Sequence, residues 1–67
     1  MADRIRRRLD FIDAARDVKD LNIPGFDLHE LKGDRKGTWS VKVTGNYRVT
    51  FRFQEGDAFE VNLEDYH

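Results

Sequence analysis

The sequence predicts an α+β fold, one main helix packed on a small antiparallel β-meander, and three observations predict it. Apolar residues recur at helical spacing over residues 3–15. From Leu28 onward the period changes to two. Glycine-bearing dipeptides then separate the alternating runs, as hairpin turns do.

The helix is read over residues 3–15. Ile5, Leu9 and Ile12 fall on one face, and Phe11 and Ala15 widen it. Asp3 is the expected N-cap, because its short carboxylate can accept from the free amides of the first turn. The stretch from Asp17 to Leu21 could add a short second helix. Asn22-Ile23-Pro24-Gly25 ends it, since proline has no amide donor.

A short strand is expected near residues 28–32, followed by three longer ones. Trp39, Val41 and Val43 alternate with Ser40, Lys42 and Thr44. Tyr47, Val49, Phe51 and Phe53 alternate with Arg48, Thr50 and Arg52. Phe59, Val61 and Leu63 alternate with Glu60, Asn62 and Glu64. Each run therefore has one apolar and one polar face, with turns at Gly45-Asn46 and Gly56-Asp57. The helix is expected across the apolar face. The polar face, carrying Lys42, Arg48, Thr50 and Arg52, is left to bind something.

With 67 residues the chain is expected to form one domain, residues 1–67, burying about 60% of its unfolded surface. It has no cysteine, so neither disulfides nor thiolate metal sites staple it. No apolar run approaches the ~18 residues of a membrane span, and no leader is apparent. A cytoplasmic, membrane-free protein is expected. Net charge is −1, unevenly spread: residues 53–67 are acidic without a basic group, and the middle is locally basic. A protein that holds RNA by charge alone is usually more basic, so composition leans slightly away from nucleic acid.

Single residues support two readings each. Arg4, Arg6, Arg7 and Arg8 are either a phosphate-contacting ridge or, favoured here, a solvated face offset by Asp3, Asp10 and Asp13. His29 and His67, the two imidazoles, could act as base and acid on one phosphodiester or be unrelated surface residues. Spacing alone favours the second. A metal reading of His29, Asp65 and His67 is weaker, lacking short fixed spacing and cysteine, so no metal or other cofactor is expected. Lys32 and Arg48 could stabilise phosphate charge or be ordinary surface cations. Tyr66 could stack on a base or cover part of the sheet. Trp39 and Phe51 are assigned to the core.

The order of the segments narrows these choices. Leu28-His29-Glu30-Leu31-Lys32-Gly33-Asp34, Gly37-Thr38-Trp39-Ser40-Val41, Asn46-Tyr47-Arg48-Val49-Thr50-Phe51 and Glu64-Asp65-Tyr66-His67 occur in that sequence. They follow a helix containing Arg7-Arg8-Leu9-Asp10-Phe11-Ile12-Asp13-Ala14-Ala15. Together they resemble the HigB branch of the RelE superfamily, the toxins of type II toxin–antitoxin pairs, over nearly the whole chain from about Ile5. The resemblance implies a RelE-like fold and a ribosome-dependent messenger-RNA endonuclease working by metal-independent acid/base cleavage. It implies catalytic roles for His29, Lys32, Arg48, Asp65, Tyr66 and His67, and a helix-turn-helix antitoxin of the HigA type as partner. Family members carry a strand and a first helix ahead of the segment seen here, so an amino-terminally short domain is expected. Its strand edge would then be open to association, with itself or with antitoxin. The alternative is a non-catalytic or weakened toxin-like module that still binds its antitoxin.

Overall fold

The computed structural model describes residues 1–65. Helix α1 spans Ala2–Ala14. A 3-10 turn follows at Val18–Leu21, then strand β1 at His29–Glu30 and a second 3-10 turn at Gly33–Arg35. Strands β2 at Thr38–Lys42, β3 at Tyr47–Gln54 and β4 at Asp57–Asp65 complete the described chain. The sheet is antiparallel throughout, in the order β1-β2-β3-β4. This is the expected α+β meander.

The helix buries a different face from the one its apolar residues suggest. Ile12 and Ala15 are buried and Ile5 packs against the core, but Leu9 and Phe11 are exposed and Arg8 is buried. The inward positions are thus 5, 8, 12 and 15. Arg8 is admitted because its polar atoms are satisfied. Its Nε donates to the Lys42 main-chain oxygen at 2.8 Å, Nη1 donates to the Arg4 oxygen at 3.3 Å, and its guanidinium lies 4.5 Å from the Phe26 ring centroid. Burial, helped by neighbouring Arg4 and Arg7, pulls its pKa down from the usual arginine value. Asp3 is not the cap. Met1 occupies that position without a side-chain bond, and Asp3 sits in the first turn, where its charge complements the helix dipole.

The first 3-10 turn is held by a capping box. Asp17 accepts from the Lys19 amide, and the Asp20 carboxylate accepts from the Asp17 amide. This delivers Leu21 and Phe26 into a core shared with Val41, Val49 and Phe51. Each such fully buried side chain contributes about 1.5–3 kcal/mol.

The strands pair Trp39 with Phe51 and Val41 with Val49 on the helix side. The β3–β4 turn is Glu55-Gly56, one residue earlier than expected, with φ of 52° and 84°, as a type I′ hairpin requires. The β2–β3 connection is longer than a tight turn. It runs over residues 43–46 and closes by Val43 and Thr44 amides donating to the Tyr47 oxygen, and Gly45 does not take positive φ there.

In β4 the expected alternation breaks. Thr50 pairs with Asn62 but Arg52 pairs with Phe59, so Glu60 and Val61 together face Phe51. This is a β-bulge, with Glu60 at φ 51°. The extra residue puts Phe59 on the polar face beside Arg52, whereas Leu63 stays on the helix side opposite Val49.

Candidate functional site

The sheet face away from the helix is built in rows, because paired residues on neighbouring strands point the same way. Thr38, Arg52 and Phe59 form one row. His29, Ser40, Thr50 and Asn62 form the next, and Lys42, Arg48 and Glu64 the third. Lys42, Arg48, Thr50 and Arg52 thus share the open face, as the strand period predicts.

His29 lies at the edge of this face, exposed, on β1. Its Nδ1 is 2.9 Å from the Asp27 main-chain oxygen. A carbonyl can only accept, so this bond places a hydrogen on Nδ1. In the neutral ring, Nε2 is then the lone-pair nitrogen, and it lies 3.3 Å from Ser40 Oγ. A histidine held this way can take a proton through Nε2.

Arg48 stands in the next row, two strands from His29, or about 10 Å across the sheet. It donates to Glu64 Oε1 from Nε at 3.1 Å and from Nη2 at 2.5 Å. Arg35, from the second 3-10 turn, grips the same carboxylate through both terminal nitrogens, at 2.9 and 2.7 Å. To make that contact the β1–β2 arm must send Arg35 past β2 and β3. Ser40 and Thr50, polar residues in the middle of the face, are buried. The two guanidinium groups hold the Glu64 carboxyl at a pKa of about 2, well below its ordinary value.

The remaining expected residues are placed differently. Lys32 is exposed and stands at the N-cap of the second 3-10 turn, beside a shallow pocket lined with Glu30, Gly33 and Lys36. Asp65 pairs with Tyr47, so its position in the strand belongs to the face of Val49 and Leu63, opposite to that of Glu64. Tyr66 and His67 lie outside the described residues. The structure therefore brings His29 and Arg48 onto one face. It sets Lys32 on the adjoining arm and Asp65 at the end of β4.

Sequence reasoning missed three members of this face. Glu64 was visible in the terminal motif but read without a role. Arg35 gave no signal, because its reach depends on the path of a loop. Phe59 is expected on the apolar face of its run, because strict alternation has no place for a bulge. In the structure the residue is 38% exposed, and its ring centroid lies 5.9 Å from the Arg52 guanidinium carbon. An exposed ring beside a guanidinium suits stacking against a planar base.

The helix arginines are divided in a way the sequence did not show. Arg8 is structural. Arg4 and Arg7 line a groove of about 660 Å³ with Asp3, Lys42 and Thr44, between α1 and the β2–β3 connection. Among the described residues, no three histidine, cysteine or acidic side chains gather as a metal site, and no helix is long and apolar enough to cross a membrane.

Known proteins are similar to this chain in sequence. The family model for RelE-like toxins of the type II toxin–antitoxin system HigB matches residues 1–67. Endoribonuclease HigB of Proteus vulgaris is 52% identical over 65 residues, covering 97% of this chain and 71% of that protein. Toxin HigB-1 of Vibrio cholerae serotype O1 is 37% identical over 59 residues, covering 87% of this chain and 62% of that protein.

Proposed function

Since this chain belongs to the HigB family of RelE-like toxins of type II toxin–antitoxin systems, we propose that it acts as an endoribonuclease, cutting messenger RNA on the ribosome by acid/base chemistry. The observation that carries this reading is the shared open face. It presents a proton-accepting imidazole at His29 and a fixed guanidinium at Arg48, two strands apart. The similarity to the endoribonuclease of Proteus vulgaris supports it.

In the proposed reaction a ribose 2′-oxygen attacks its own 3′-phosphorus. The 2′-hydroxyl proton goes to a base, the bond to the 5′-oxygen breaks, and an acid protonates that leaving oxygen. The products are a 2′,3′-cyclic phosphate and a 5′-hydroxyl. His29 and His67 are the proposed proton carriers, with Asp65 as the other candidate at the carboxyl-terminal end. Lys32 and Arg48 would offset charge on the phosphoryl oxygens, where fixed cations act most strongly in the transition state. Tyr66 would hold a base by stacking. This scheme draws its proton transfer and charge from side chains and calls for no metal.

The proposed protein partner is a helix-turn-helix antitoxin of the HigA type, and the proposed location is the cytoplasm, where ribosomes translate. Self-association through the outer edge of β4, beside exposed Val61 and Leu63, is a further expectation. One observation favours the weakened-toxin reading instead. Arg48, the proposed phosphate ligand, is already engaged by Glu64.

Inducible expression in bacteria with mapping of messenger-RNA ends tests the proposal. Cuts inside translated codons are expected. Normal growth with intact transcripts would leave the antitoxin-binding module as the better reading.

A further inference from the structure

We propose that Arg35 is a phosphate-holding residue, carried over the open face by the β1–β2 arm and parked on Glu64 until RNA arrives. The inference rests on the endoribonuclease reading and adds a residue to its site.

The arm is built to carry a side chain across the sheet. It leaves β1 after Glu30 and returns at Thr38. Gly33 and Gly37 bracket the turn at φ of 70° and 93°, backbone angles that glycine adopts without strain. The Gly37 amide donates to the Glu30 carboxylate at 2.8 Å, tying down the base of the arm. Arg35, the last residue of the 3-10 turn, then reaches a carboxylate on the far strand of the sheet.

The two arginines on Glu64 are not held alike. The Arg48 side chain is 15% exposed and comes from β3, where its backbone is paired on both sides, with Lys42 and with Glu64, so it keeps its place. The Arg35 side chain is 45% exposed and comes from a loop. Ion pairs in that setting are screened by water and easily exchanged.

A phosphodiester fits the part of Glu64 that Arg35 now uses. Its two non-bridging oxygens present the same fork as a carboxylate, and it carries the same single charge. Exchanging one for the other keeps two charge-assisted bonds on Arg35. Glu64 meanwhile retains Arg48 and keeps it oriented. Arg35 is then a positioning residue that grips RNA beside the scissile group, and Glu64 is its internal competitor.

The experiment compares the parent with Arg35→Ala, Arg35→Lys and Glu64→Gln on ribosomes programmed with a defined message. The toxin concentration giving half-maximal cleavage and the rate at saturation are read separately, with thermal melting as the check on folding. Arg35→Ala is expected to raise the half-maximal concentration about tenfold, the scale of one lost charge-assisted contact, with only a small drop in melting temperature, because the exposed Arg35–Glu64 pair contributes little to stability. Arg35→Lys should recover part of the loss by keeping the charge. Glu64→Gln, which removes the competitor and also the anchor of Arg48, should lower both the half-maximal concentration and the rate at saturation, and adding Arg35→Ala to it should cancel the gain in half-maximal concentration. An Arg35→Ala protein that matches the parent in both readouts overturns the inference while leaving the endoribonuclease reading standing. A parent that leaves the message uncut overturns both.

Discussion

Arg8, 34 positions ahead of Lys42 in the chain, donates from Nε to the Lys42 main-chain oxygen at 2.8 Å. The bond joins α1 to the end of β2, and the Lys42 amide in turn donates to the Phe26 oxygen at 2.6 Å. Helix, connecting loop and sheet therefore meet at one point, with the Arg8 guanidinium stacked on Phe26.

Replacing Arg8 with alanine should cost about 2 kcal/mol, the scale for losing a charge-assisted bond whose acceptor stays enclosed. Lysine should recover only part of it. An ammonium cannot reach both main-chain oxygens in a plane while stacking on the ring. Urea denaturation measures the loss, and an Arg8→Ala protein as stable as the parent would show that this junction does not hold the helix down.

Acid should weaken the fold through Glu64. Its folded pKa, about 2, lies below the ordinary 4.5. The stabilisation from Arg35 and Arg48 is therefore fully present above about pH 4.5 and is lost as pH falls towards 2. In Glu64→Gln that part of the acid sensitivity should vanish. Denaturation midpoints measured between pH 6 and pH 2 should converge for the two proteins at the acid end. Parallel curves would mean that the carboxylate is not what acid titrates.

Deleting His67, or replacing it with glutamine, should abolish cleavage while antitoxin binding and melting temperature hold. Removing a proton-transfer group typically costs a few powers of ten. Glu60→Gln on the same segment should do far less. If the His67 deletion cleaves ribosome-bound message at the parent rate, the terminal residues are bystanders.

The bulge supplies a stability test. Glu60 sits at φ 51°, where a side chain is strained. Glu60→Gly should stabilise by about 0.5–1 kcal/mol, and Glu60→Val, β-branched at the same angle, should destabilise. Thermal melting distinguishes them. An equal and opposite ranking would mean that the bulge relaxes in solution.

The helix-to-strand switch at Leu28, the meander and the apolar pairs Trp39–Phe51 and Val41–Val49 were legible because period two and period 3.6 leave distinct patterns. Arg8 was not. Its burial depends on an oxygen 34 residues away, and periodicity scores arginine as outward-facing. Motif order singles out His29 and Arg48 as candidates, and the sheet puts them on one face. Arg35 and Phe59 were hidden for two physical reasons. A loop's path and a one-residue bulge each reassign a side chain without changing its local composition.

The bulge also bears on how the protein avoids joining itself into fibres. Among the described residues, β4 has a strand on one side only. An uninterrupted nine-residue edge would be a template for open-ended stacking. Glu60 breaks that edge between Phe59 and Asn62, leaving two short stretches whose hydrogen-bonding groups fall out of step with each other. A flat strand from another copy can match one stretch or the other. Growth by edge addition is therefore expected to stop early, and a companion covering this whole edge would need a complementary bend.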